Sequence, residues 1–243
     1  MSNYFVWIIE TEPFQLFSIS HLSALFVLVM IFLGFVLLTR KKSISEKQDK
    51  FLRIFLGSAM IVQEISLNIF RVQTGIWSLA ESLPFHLCSF SIILGSLLYF
   101  TKSKFLFDIL YYWAAGALVA LFTPDLTTTD FPAFRYYQFF LSHGLIVFSV
   151  IYFMSIHHYK PGNGSLKRTL IFTHALVPFI AIINYLTGGN YFFIAYTPKT
   201  ASPIDLLGPW PYYLIGLEII LVSVFSMMYL PFYIKSKKSR MPN

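Results

Sequence analysis

Seven runs of apolar residues divide the chain, at about 18–38, 51–74, 84–100, 106–122, 136–156, 167–187 and 210–234. Each is of roughly the 17 to 24 residues that a helix needs to cross the hydrocarbon of a bilayer. Between them lie shorter stretches where Lys, Arg, Gly, Pro and Ser concentrate. The pattern predicts an all-α, polytopic membrane protein, with residues 1–243 forming a single seven-helix transmembrane domain. The N-terminal stretch "MSNYFVWIIETEPFQLFSIS" has neither a basic leader nor a small-residue cleavage site. The first span is therefore expected to act as a signal anchor and not as a removable peptide.

Composition agrees with that pattern. Hydrophobic residues make up 56% of the chain and charged residues only 12%, about half the charge of a soluble domain. The single cysteine rules out an internal disulfide and any multi-cysteine metal centre. The net charge of +7 carries no zinc-finger, helix-turn-helix or RNA-binding signature, so nucleic acid is not an expected partner. The basic residues instead sort by side. Arg40, Lys41, Lys42, Lys47, Lys50, Arg53, Lys102, Lys104, Lys160, Lys167, Arg168, Lys235, Lys237, Lys238 and Arg240 fall on one side of a seven-crossing chain. Arg71, Arg135 and Lys199 fall on the other, with Glu10, Glu12, Glu81, Asp125, Asp130 and Asp205. The positive-inside rule then puts the N-terminus outside and the C-terminus in the cytoplasm. The expected location is a cell membrane crossed several times, with membrane lipids as partners; the sequence leaves the oligomeric state open.

Short internal matches suggest a duplication. Spans one and five begin with "FSISHLSALF" and "FFLSHGLIVF", spans two and six carry "SLNIF" and "IINYL", and spans three and seven open with "LPFHL" and "WPYYL". Three spans, a linker span and three more in the same direction would form a 3+1+3 parallel repeat, as some transporters have. Matches this short also arise by chance.

The intramembrane polar residues gather toward the outer side. His21, His86 and His143 fall in the first turns of spans that enter from outside. Glu64, Asn68 and Arg71, spaced by four and three, share one helical face. Asn184, Trp210 and Glu218 add to the same half, whereas Asp108 and His174 are the main polar residues of the inner half. Ionisable groups in hydrocarbon usually face the bundle interior and mark function, so an outward-facing polar cavity is expected, with His21, Glu64, Asn68, Arg71, Asn184 and Trp210 as substrate-binding candidates. Arg71 suits a phosphate or carboxylate headgroup, or equally an ion pair with Glu64 or Glu81. A lone membrane histidine also serves as an interhelical hydrogen-bond partner, and terminal Trp and Tyr as interface anchors.

Cys88 is the nucleophile candidate. Ser82 is read as the N-cap of span three, with Pro84 tolerated in the first turn, so that Cys88 lies where a helix N-terminus favours a thiolate. His86, two residues away, faces nearly the opposite side. A base is then expected from another span, His143 or His21. The alternative role for Cys88 is that of a small packing residue. No HxxxH or HExxH spacing fixes two metal ligands on one face, and no Gly-rich phosphate loop or GxSxG elbow is present; no cofactor and no metal is expected.

The stretches "SLPFHLCSFSIILG", "YYWAAGALVALFTPDL", "FFLSHG", "INYLTGGNYFF" and "LLGPWPYYL", which span residues 82 to 214, together resemble the YwaF-like family of bacterial integral membrane proteins. That family is distantly related to the animal transmembrane protein 164 family. The resemblance implies seven spans. Through the animal relatives it also implies membrane acyltransferase chemistry on phospholipids, with a cysteine that holds the acyl group. Carried onto this chain, Cys88 would be the acyl acceptor and His86 or His143 the histidine of the site. Acyl transfer or acyl-ester hydrolysis on membrane lipids is the function expected. A transporter or small-molecule-binding protein without covalent chemistry is the alternative.

Overall fold

In a computed structural model, described over residues 11–126, 129–197 and 203–238, the chain is all helical, with no strand among the described residues. Seven helices follow one another: α1 (Ile19–Lys41), α2 (Glu46–Gln73), α3 (Leu87–Thr101), α4 (Lys104–Phe122), α5 (Phe134–Ile156), α6 (Ser165–Thr187) and α7 (Tyr212–Lys238). Two 3-10 turns, Tyr191–Phe193 and Pro203–Leu207, lie between α6 and α7. Glu10, Lys199 and Arg240, used above for orientation, lie outside the described residues.

Six of the seven helices are long and apolar enough to cross a membrane. The exception is α3, whose 15 residues reach only about 22 Å at the α-helical rise. It starts later than the sequence suggests. Ser82 does not cap it: the Ser82 hydroxyl accepts from the N–H of Ser78 at 3.1 Å, and the N-cap is His86, without a side-chain cap bond. The residue before a proline is steered away from helical backbone, and Leu83, which precedes Pro84, gives its N–H to the Tyr191 hydroxyl at 3.0 Å. Residues 76–86 thus form a turn that is tied down from the far end of the chain.

The centre of the bundle is α5, packed against α3 and α4 through Leu98, Tyr99, Leu110, Tyr152 and Phe153. α1 fully buries a single residue of its 23, His21; Leu25, Leu28, Phe32 and Phe35 pack against the core, while Phe26, Val27, Met30, Leu33 and Leu37 are exposed. Serines cap three helices locally, Ser18 for α1, Ser45 for α2 and Ser103 for α4.

Helices α1, α3, α5 and α7 begin at the end of the bundle that carries the site described below. The opposite end is more polar inside than its apolar runs suggest. Asp108 is buried and bonds Arg168 at 2.6 Å, Tyr112 bonds Ser165 at 2.8 Å, and the Trp113 indole donates to Thr173 at 3.0 Å, which joins α4 to α6. Asp49 accepts from Tyr152 at 2.6 Å, from His157 at 2.9 Å and from Arg53 at 2.9 Å, which joins α2 to α5. These buried polar groups are partnered, as a low-dielectric interior requires; the buried Tyr99 hydroxyl, beside Tyr152, is left without a partner among the described residues.

Candidate functional site

Cys88 occupies the first turn of α3 and packs against the central core. Its position depends on Tyr191. That side chain is fully buried; its hydroxyl donates to the Leu79 carbonyl at 2.7 Å while accepting from Leu83. Its ring lies 4.7 Å from His86 and 5.7 Å from Phe85. Asn184 fixes Tyr191 in turn, with Oδ1 accepting the Tyr191 N–H at 2.8 Å and Nδ2 donating to the Tyr191 carbonyl at 3.0 Å. The "TGGNYFF" stretch explains how the chain gets there. Gly188 closes α6 at φ 68°, a left-handed geometry that glycine adopts without strain. A Cβ at Gly189 would stand 2.6 Å from the Ala80 carbonyl oxygen.

Around Cys88 lies a cluster of charges from three elements. The charged groups whose fields reach the thiol are Glu64 on α2 and Arg135 on α5. Arg135 also feels Arg71 and Asp125; Arg71 feels Glu64 and Glu81; His86 feels Arg71, Glu81 and Arg135; and His143 feels Arg135. Among the described residues, the Arg71 side chain makes no hydrogen bond or ion pair. Arg135 donates to the Gln138 Oε1, and the Gln138 Nε2 donates to the Gln63 Oε1 at 2.9 Å. Of the three buried side-chain atoms left unpaired among the described residues, two lie here, the Glu64 Oε1 and the Gln63 Nε2; the third is the Tyr99 hydroxyl.

The sequence-derived residues divide by what already occupies them. His143 donates from Nδ1 to the Phe139 carbonyl at 2.8 Å, which leaves Nε2 with its lone pair when the ring is neutral. His21 is engaged at both nitrogens: Nδ1 accepts from the Phe17 N–H at 3.0 Å, so Nε2 donates to the Leu121 carbonyl at 2.9 Å. Asn68 donates to the Glu64 carbonyl at 3.1 Å and accepts from the Trp77 indole at 3.3 Å. Trp210 donates to the Ile194 carbonyl at 3.2 Å and is exposed. Cys88, Glu64, Arg71, His86 and His143 therefore share one electrostatic neighbourhood, while His21, Asn68, Asn184 and Trp210 spend their polar atoms on the protein itself. Among the described residues no hydrogen bond joins Cys88 to a histidine, and no three His, Cys, Asp or Glu side chains are grouped to hold a metal ion.

Arg135, Gln138, Gln63 and Tyr191 belong to this neighbourhood and were not among the sequence-derived residues. Gln63 sits beside Glu64 in an apolar span, and Arg135 and Gln138 are three apart on α5, the same one-face spacing that singles out Asn68 and Arg71. That signal was present in the sequence. Tyr191 had none, because its role depends on a contact with Leu79, 112 residues away.

Outside the cluster, between α2 and the start of α3, runs an open groove of about 580 Å³. Ile65, Val72, Pro84 and Ile93 make it apolar, and Glu64 and Asn68 supply polar atoms. Glu64 thus borders both the groove and the surroundings of Cys88.

Comparison with known proteins adds a family. The model described as the TMEM164 family matches residues 16–229. An uncharacterised protein of Treponema pallidum (strain Nichols) is 29% identical over 156 residues, which are 63% of this chain and 63% of that protein's length. No solved structure matches.

Proposed function

The chain belongs to the TMEM164 family, and from that premise we propose that it is a cysteine-dependent lipid acyltransferase or acyl-ester hydrolase of the bacterial cytoplasmic membrane. The observation that carries the reading is the placement of Cys88: a thiol in the first turn of α3, just after the turn that Tyr191 ties down and beside the open groove between α2 and α3. An apolar groove on the lipid side of Glu64 is suited to an acyl chain. All seven helices, α3 included, cross the bilayer, with the N-terminus outside and the 3+1+3 repeat as their origin. The site then faces the outer leaflet, where an ester at the interface reaches polar groups while its chains stay in lipid.

The chemistry runs in two halves. His143 Nε2 takes the thiol proton, and the Cys88 sulfur attacks the ester carbonyl of a membrane lipid. The ester C–O bond breaks, the leaving lysolipid oxygen takes the proton back from His143, and the acyl group remains as a thioester on Cys88. A second lysolipid hydroxyl, or water, then gives its proton to His143 and attacks the thioester, and the thiolate leaves and is reprotonated. Backbone N–H groups in the first turn of α3 are suited to the oxyanion, a contribution of about 3 kcal/mol in comparable sites. His86, beside Tyr191, and Arg71 take the polar end of the lipid.

A second reading, non-covalent binding or transport of a lipid-like ligand in the same place, is favoured by one observation: among the described residues no hydrogen bond joins Cys88 to a histidine that would prepare it for attack. Turnover separates the two. With vesicles of a phospholipid carrying a labelled acyl chain, plus a lysolipid acceptor, the wild-type protein is expected to move the label, and Cys88→Ser to lose at least about a hundredfold in rate. Equal turnover by Cys88→Ser reduces Cys88 to packing and leaves the binding reading.

A further inference from the structure

α6 and α7 share an outward-facing polar pair that the site around Cys88 does not use. His174 Nε2 lies 3.1 Å from Glu218 Oε2, with the two side chains 50% and 46% exposed. His174 is the tenth residue of α6, about 14 Å from its start. That is near the middle of a hydrocarbon core about 30 Å thick. Ionisable side chains at such depth almost always face the protein interior or a water-filled cavity. The bundle keeps to this elsewhere, since the Asp108 side chain is 2% exposed. Backbone adds to the polarity here, because Pro178, four residues on, brings no N–H to the His174 carbonyl.

The other ring nitrogen fixes the chemistry of the pair. His174 Nδ1 lies 2.7 Å from the Leu170 carbonyl, which only accepts, so Nδ1 carries a proton. The bond from Nε2 to Oε2 then needs one more proton, held as imidazolium with carboxylate or as imidazole with acid. In either form His174 and Glu218 are opposite ends of a dipole, and Glu218 Oε1 accepts no bond among the described residues. Around the pair the surface is apolar and exposed. Ile171 and Pro178 flank His174 at spacings of three and four, and Ile215 and Val222 flank Glu218 in the same way. Ala175, also exposed, keeps that surface low, as helix contacts in membranes favour.

We propose that a second copy of the chain covers this face, in a dimer with its twofold axis along the membrane normal. Two copies inserted in one orientation pair symmetrically about such an axis. Rotation about it keeps every residue at its own depth and sets α6 of one copy against α7 of the other. The 3.1 Å bond puts His174 and Glu218 at one depth. His174 therefore meets Glu218 of the partner subunit, and Glu218 meets the partner's His174. Opposite ends of the two pairs face each other, and all four ionisable groups leave the lipid. A face that holds both signs at one level complements itself, whereas lipid tails offer it nothing. The dimer does not depend on the acyl chemistry proposed above.

The test is cross-linking between two differently tagged forms of the full chain, co-expressed in a Cys88→Ala background. Because α6 and α7 run in opposite directions, Ile171 and Val222 lie at about the same depth, one turn to the inner side of the pair. One form carries Ile171→Cys and the other Val222→Cys, and the membranes are treated with a mild oxidant. A disulfide-linked product that contains both tags is expected. Ile171→Cys with Phe26→Cys, which is exposed on α1, is the control and should give none. Adding His174→Leu and Glu218→Leu to both forms leaves the face apolar, and should lower the linked fraction at least about threefold. A linked product no more abundant than in the control, or a yield that the double Leu variant keeps, overturns the proposal. Photobleaching of the fluorescently labelled Cys88→Ala chain in liposomes reads the dimer without those substitutions. Two steps are expected, and single steps at every protein density mean that the pair faces lipid and overturn the dimer.

Discussion

The Tyr191 hydroxyl both donates and accepts, to Leu79 and from Leu83, so one atom fixes the turn that presents His86 and Cys88. Tyr191→Phe keeps the ring contacts and removes both bonds. It is expected to cost about 1 to 3 kcal/mol, read as a lower melting midpoint of the purified protein, with turnover falling further than the stability loss accounts for. An unchanged midpoint would mean that the turn holds without the phenol. Residue by residue, the pattern shows which polar residues lie within a span but not which partner each one takes. His21 and His143 follow the same Ser-His pattern, yet His21 has both nitrogens on backbone groups while His143 has one. Nothing in a one-dimensional pattern distinguishes them, because the partners of His21 include Leu121, 100 residues on.

Among the elements, helix identity was legible and the cap of α3 was not. Apolar runs of membrane length locate α1, α2, α4, α5, α6 and α7 within a few residues of their ends, since an uninterrupted apolar stretch has few other stable forms in a bilayer. The turn before α3 is decided by a tertiary contact, which is why a serine of good capping type, Ser82, is bypassed for His86. The same contact sets a requirement at Gly189, whose Cβ would meet the Ala80 carbonyl. Gly189→Ala is expected to push the two loops apart and destabilise by about 1 to 3 kcal/mol, as overpacking does. A thermal melt checks this, and a midpoint equal to wild type would show that the loops have slack.

For the whole molecule, the two ends behave differently. At the end of the bundle opposite Cys88, His157 lies just past α5 and its Nε2 donates to Asp49. Burial holds the His157 ring below its usual 6.5, against the opposing pull of the Asp49 carboxylate. Below pH 6.5 the unfolded chain therefore binds more protons at this position than the folded one, so stability is full above 6.5 and declines as the pH falls. Melting midpoints measured from pH 7 to pH 5 should fall, and His157→Gln, which still offers Asp49 a donor, should flatten the slope; an unchanged slope rejects the assignment. Topology has its own test. The positive-inside assignment puts the loop between α5 and α6 in the cytoplasm, so a cysteine introduced as Asn163→Cys in a Cys88→Ala background should resist a membrane-impermeant reagent in intact cells. Labelling from outside would invert the bundle and the site with it.

The central claim is that Cys88 carries an acyl group, and the most direct measurement is the mass of the protein itself. Purified wild-type protein mixed with a phospholipid donor, with no lysolipid acceptor, is quenched in acid. Intact mass and peptide mapping should then find one added acyl chain on the peptide containing Cys88, removable by neutral hydroxylamine and missing from Cys88→Ala. An unmodified Cys88 under conditions where labelled lipid is turned over would contradict the account.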